Sequence, residues 1–200
     1  MNNSATFWQR FVAMWVDVLV FVPLMFLQAG IESISKVTAL LVFLVYMSLT
    51  LAYPIYGHGR FGRTVGKWVM GIRVVRFTGG PLRWRDAWLR SVVDLCVAGF
   101  TVCGRVVALM AITDAEFYNV GWYARGGNLV AHEPASTKWV IWIGVVWFYS
   151  EVVTMLFNKR RRALHDFIAG TVVISDRFTG GGAAEQAVAA DDRPRTAARR

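Results

Sequence analysis

The chain has 200 residues, 56% of them hydrophobic, and a formal net charge of +9. That apolar share, with a mean hydropathy of +0.42, is high for a water-soluble domain of this length, and the apolar residues are bunched rather than periodic. The basic residues lie at the ends of apolar blocks, which suits anionic headgroups and cytoplasmic loops and argues against a nucleic-acid groove.

The first apolar block, "FVAMWVDVLVFVPLMFLQA", has one nearby basic residue before it, Arg10, and an aspartate, Asp17, inside it. It lacks a small-x-small cleavage site and reads as a retained span rather than a signal peptide. The second runs from Val37 to Tyr56 and the third from about Ala87 to Ala111. The fourth, Lys138 to Phe157, carries Trp139, Trp142 and Trp147 on its outer half. Each is about as long as the ~20 residues a bilayer core requires. Cys96 and Cys103 share the third block. Seven residues apart on a helix, they lie on one face about 10 Å from each other, too far for a disulfide, and read as small buried apolar residues.

With the N-terminus inside, 18 of the 22 lysines and arginines fall on the inner side. This bias predicts that both termini are cytoplasmic and that the protein lies in the inner membrane. The outer loop from Thr113 to Thr137 is acidic, with Asp114, Glu116 and Glu133 against Arg125, and Arg105 is expected to snorkel toward that side. The segment 178–200, "TGGGAAEQAVAADDRPRTAARR" from Thr179, is Gly/Ala-rich and without aromatics. It is expected to be a disordered cytoplasmic tail following one domain over 7–174.

Three spans place an acid in the cytoplasmic half: Asp17 about 10 Å from the inner surface, Asp94 and Glu151 at about 12 to 14 Å. A carboxylate at the centre of a span costs roughly 3 kcal/mol on insertion, so each should face the bundle interior and find a partner. Arg10 is seven residues from Asp17, too far for an easy pair on one helix, whereas Arg90 and Asp94 stand at i, i+4. Asp17 is therefore expected to be served by Arg90 or by another span. Such acids either bind and relay a cation or proton, or fix helix register. Glu151 leans to the structural role.

Between the second and third spans, "GRTVGKW" resembles a phosphate loop but has too short a glycine spacing and Trp68 in place of Ser/Thr. Val65, Trp68, Val69 and Ile72 form the stripe of a short amphipathic helix on the inner surface. "GIRVVRF", "TGGP" and "LRW" read as strand, turn and strand, with Thr171 to Ile174 as a third strand.

The last block, "RRRALHDFIAGTVVI", places His165 and Asp166 beneath the fourth span. A metal site from His58, His165 and Asp166 is not demanded by their spacing, His132 lies on the other side, and no nucleophile sits in a recognisable turn. Neither an enzyme nor a cofactor or metal is expected. Asp166 is expected to anchor the C-terminal segment by accepting from backbone amides or from arginines around Gly66 and Lys67. His165, which titrates near neutrality when unperturbed, could pass protons toward Asp17 and Asp94.

Arg10 with Asp17, then "TVGKWVMGIRVV" containing Thr64, Gly66 and Lys67, a Gly-rich turn, "RWRDAWLRSVV" and "RRALHDFIAGTVVI" together resemble the RDD family of bacterial membrane proteins. The resemblance covers about Phe7 to Ile174. It matches the family's arginine to Arg10 and its first aspartate to Asp17. The second is matched best by Asp166, with Asp94 as the alternative. The resemblance implies transport of ions or small solutes.

The expected fold is an all-α membrane protein, a four-span helical bundle with both termini inside, a small cytoplasmic amphipathic helix and short β-strands. The expected function is movement of a small cation or solute, linked to protons, through a network of Arg10, Asp17, Arg90, Asp94, Glu151, His165 and Asp166. The alternative is a membrane scaffold or accessory subunit whose charges only assemble the helices. Expected partners are a bilayer with anionic headgroups, the small cation or solute and further copies of the chain, with no nucleic acid.

Overall fold

Uninterrupted runs of Leu, Val, Phe and Met close their backbone hydrogen bonds within the helix, which is what apolar surroundings demand of them. In the computed structural model, which describes residues 4–158 and 161–176, these runs become α1 (Phe7–Ile31), α2 (Lys36–Tyr56), α5 (Val92–Ala111) and α8 (Ala135–Phe157). A π-helical turn, Gly57–Phe61, extends α2. Four helices are thus long and apolar enough to cross a membrane. Their exposure is inverted relative to a soluble protein. Among the described residues α8 buries Thr137 alone, and α1 buries Arg10 and Ala13, while Trp8, Leu19, Phe26, Trp139 and Trp142 are exposed. Lipid, not water, is the solvent that suits such a surface.

The short elements are α3 (Val65–Val69), β1 (Ile72–Arg76), α4 (Trp84–Arg90), α6 (Asp114–Tyr118), α7 (Trp122–His132), α9 (Leu164–Ile168) and β2 (Thr171–Ser175). The expected tail over 178–200 lies outside the described residues.

The chain divides into two compact units. One holds residues up to Asp17, Pro54–Arg90 and those from Glu151 onward. Its centre is an antiparallel pair, β1 with β2, in the register Ile72↔Ser175 to Arg76↔Thr171. Ser4 bridges to Ile174, and Ala5 N–H donates to the Val173 carbonyl at 3.0 Å. Every β2 residue is buried, and Ala5, Ala13, Ile72, Val74 and Val173 form a core with Met70 and Leu82 against it. Gly62, at φ +70°, closes the π-helical turn in a left-handed conformation that side chains resist. Asp176 ties Arg63 at 2.8 Å and Arg73 at 3.1 Å to the end of β2, and Asp86 binds Arg76 at 2.9 Å.

The other unit comprises Val18–Tyr53 and Ser91–Ser150. Ala39, Ala108, Leu109, Ile112, Phe117 and Leu129 make its core. At Gly104 a β-carbon would stand 2.3 Å from Thr137 Oγ1, so α5 and α8 meet through a glycine. Thr113 and Glu116 form a reciprocal cap at the start of α6. Lys36 donates to the Ile112 carbonyl at 2.7 Å and pairs with Asp114 at 2.7 Å.

Several expectations are corrected here. The third apolar block is broken at Ser91, so Ala87 to Arg90 belong to α4 and the span starts at Val92. Leu82 and Arg83 are not strand, Trp84 opens α4, and β1 pairs with β2 instead. The amphipathic helix stops at Val69; Val65, Trp68 and Val69 are exposed as expected, but Ile72 is buried in β1. The region 113–137 folds into α6, α7 and the first residues of α8, which starts at Ala135. Arg105, expected to reach toward the segment 113–137, pairs there with the buried Glu133 at 3.6 Å, and its guanidinium lies 4.9 Å from the Phe43 ring centre. Burial pushes the Glu133 carboxyl up, against the pull of Arg105. Cys96 and Cys103 are free thiols, exposed rather than buried.

Candidate functional site

The first unit collects charged and polar groups from six segments. α1 supplies Arg10 and Asp17, the π-helical turn His58, and α3 with its preceding residue Thr64, Gly66 and Lys67. α4 supplies Arg90, and α9 His165 and Asp166; Thr171 comes from β2.

Asp166 has no solvent exposure. Its Oδ2 accepts from Arg10 Nη1 at 2.8 Å and from the Ala163 amide at 3.1 Å. Its Oδ1 accepts from Arg90 Nη1 and from the Thr171 hydroxyl at 3.2 Å. The result is a buried Arg–Asp–Arg triad. Burial alone would push the Asp166 carboxyl up, but Arg90, His165 and Arg10 together with the Ala163 amide hold it well below the usual carboxylate range. Arg10 also donates to the Val173 carbonyl at 3.5 Å and Arg90 to the Thr171 hydroxyl at 2.5 Å, which locks the triad to β2. Arg162 donates to the carbonyls of Asp166 and Thr171 at 2.9 and 3.0 Å and lies 4.1 Å from the Phe167 ring centre.

Asp17 is half-buried. Its Oδ2 accepts from the Thr64 hydroxyl at 2.6 Å and its Oδ1 from the Gly66 amide at 2.7 Å. Gly66 is needed for this approach, because a β-carbon there would lie 2.0 Å from the Ala13 carbonyl oxygen. Lys67 reaches the Thr64 hydroxyl only at 3.5 Å. Burial, and then Arg90, bring its ammonium down to about 8, with Asp17 and Asp166 opposing. Glu151, near the end of α8, pairs with His165 Nδ1. His58 is 5% exposed, and neither ring nitrogen has a hydrogen-bond partner. The charges acting on it most strongly are Lys67 and Arg90.

The structure therefore brings Arg10, Arg90, His165 and Asp166 together, joins Glu151 to them through His165, and places Asp17 with Thr64, Gly66 and Lys67. Two pairings differ from expectation. Asp17 is held by a hydroxyl and a backbone amide, and Arg90 is committed to Asp166 and Thr171. Asp166 does accept from a backbone amide, that of Ala163, as expected, but its arginines are Arg10 and Arg90 rather than those around Gly66 and Lys67. Asp94 lies in the other unit, exposed in the first turn of α5. Thr171 and Arg162 were missed as site residues; their only signal was a position within ten residues of His165–Asp166. Among the described residues no group of three or more His, Cys, Asp or Glu side chains could hold a metal ion.

Against known proteins, the RDD family model matches residues 4–170. No curated protein and no solved structure matches the chain.

Proposed function

The chain belongs to the RDD family, and from that premise we propose that it moves a small cation or solute across the cell membrane, linked to protons, with both termini in the cytoplasm. The observation that carries the proposal is a contrast within one unit. Asp166 is saturated with donors, as a structural ion cluster should be, whereas His58 is buried with both ring nitrogens unbonded and the half-buried Lys67 makes a long 3.5 Å bond to the Thr64 hydroxyl. Lys67, at about 8, can gain or lose a proton near physiological pH, which a structural ammonium does not need to do. The role is not catalytic. The distribution of lysine and arginine supports the orientation, and four helices make so thin a bundle that a path for solute calls for a homo-oligomer, to be checked by cross-linking in native membranes.

Proteoliposome flux tests the reading. Asp17→Asn should lower flux about tenfold or more, the scale of one charge-assisted hydrogen bond, and Asp94→Asn should also lower it. The rate in wild type should inflect near pH 8, and Lys67→Arg should remove that inflection because an arginine stays protonated. Unchanged flux in both aspartate variants would take the acids out of the pathway. The saturated Arg10–Asp166–Arg90 triad favours a second reading, a scaffold or accessory subunit. That reading expects the same substitutions to lower yield and thermal stability while no solute gradient is dissipated.

A further inference from the structure

The unit built around β1 and β2 is short of acceptors. Among the described residues, its buried side-chain atoms without a hydrogen bond are all nitrogens: Arg10 Nε, Arg90 Nε, both ring nitrogens of His58, and Arg73 Nε, which still has its ion pair with Asp176. In any protonation state at least one His58 nitrogen is a donor, and an arginine Nε always is. Two guanidiniums, Arg10 and Arg90, share the single carboxylate of Asp166. Asp17 accepts from the Thr64 hydroxyl and the Gly66 amide, both uncharged donors. Lys67 meanwhile has one long bond, to a hydroxyl. Buried donors without acceptors are costly, of the order of 1–3 kcal/mol each, so an arrangement that leaves several together fits a ligand that brings oxygen and negative charge.

We infer that His58, Lys67 and Arg90 form a binding site for an oxyanion, phosphate-like in charge and shape, borne by a free solute or by a lipid headgroup. The inference rests on the transport reading only in making that solute the cargo; the site itself stands on the donor surplus. It selects an anionic solute over a cation, since a cation would add a charge where positive charge is already in excess. Neighbouring groups bear on the proton balance. Lys67 feels Arg90, Asp17, Asp166 and Arg10, and His58 feels Lys67, Arg90, His165 and Asp166. An added anion stabilises the Lys67 ammonium, so binding at pH 8 draws in about half a proton and binding at pH 6.5 almost none.

The test is calorimetry of the full chain in detergent with inorganic sulfate, which does not itself titrate here, run in buffers of different ionisation enthalpy. Chloride at matched ionic strength is the control. The expected result is saturable sulfate binding with proton uptake at pH 8 and not at pH 6.5. His58→Ala and Lys67→Met should weaken binding about tenfold or more, and Lys67→Arg should keep binding while losing the proton uptake. Mass spectrometry of the intact protein separates the two sources. A headgroup source predicts retained phosphatidylglycerol that the His58 and Lys67 variants release, with sulfate binding only after lipid removal. A free solute predicts sulfate binding without retained lipid. If neither sulfate nor phosphatidylglycerol binds, or chloride acts equally, the site is overturned. Sulfate binding without flux keeps the site and removes transport; flux without sulfate or lipid binding keeps transport and removes the site. Should Lys67→Met not fold, Lys67→Arg alone decides, because uptake that persists in it contradicts the assignment.

Discussion

Asparagine in place of Asp166 should destabilise the folded protein by about 3–5 kcal/mol, the usual consequence of leaving buried charges uncompensated. Two guanidiniums, both nearly inaccessible, would lose their common anion. The Ala163 amide would still find an oxygen, so the loss is specific to charge. Thermal unfolding in detergent, followed by size-exclusion recovery, measures it. Replacing all three members by apolar residues of similar volume should cost less than Asp166→Asn alone, because no unpaired ion remains. The pH dependence has a definite sign. A carboxyl lowered on folding contributes fully above its ordinary pKa of 3.8, and the contribution is lost as pH falls below that through its folded value. The gap between wild type and variant should therefore hold down to about pH 5 and narrow above about pH 8, where Lys67, whose ammonium Asp166 supports, loses its proton.

Gly66→Ala should be comparably damaging for a steric reason. The added methyl would sit 2.0 Å from the Ala13 carbonyl oxygen and 2.9 Å from Asp17 Cγ. Backbone cannot yield that much, so α3 must withdraw from α1 and surrender the bonds from Gly66 and Thr64 to Asp17. We expect folded yield to fall severalfold and flux to disappear with it. Gly99→Ala is the control. A β-carbon there meets nothing within 4 Å, and alanine is favoured over glycine in a helix by up to about 1 kcal/mol. A Gly66→Ala protein as stable as wild type would contradict the close approach of α1 and α3.

What could be read from the sequence follows the range of the interactions concerned. Span length, the strand "IRVVR" and the segment "TVVIS" are local patterns, and each appears where it was expected. The partner of β1 was misjudged because "LRW" is nearer in sequence than β2, and pairing by proximity fails when the sheet joins distant segments. The break at Ser91 carries no Gly or Pro to mark it. α6 did carry a signal: Thr113 and Glu116 have the spacing of a capping box. Cys96 and Cys103 were placed inside because lipid and protein core are equally apolar, so hydrophobicity cannot say which way a helix face turns. The partners of Asp166 lie 156 and 76 residues away. Asp17 was expected to be served by Arg90 or by another span, but it accepts from the Thr64 hydroxyl and the Gly66 amide, and no spacing rule announces that. His58 stands between two glycines, a context that carries no sign of burial, yet the π-helical turn buries it.

The anion of the triad is synthesised long after the first of its cations. Arg10 leaves the ribosome within the opening helix, Arg90 follows, and both must wait until residues 163 to 175 arrive to receive Asp166, Thr171 and the second strand. A chain stopped before residue 163 carries both guanidiniums without the carboxylate and the strand that cover them, so the first unit cannot close its centre until that segment is made.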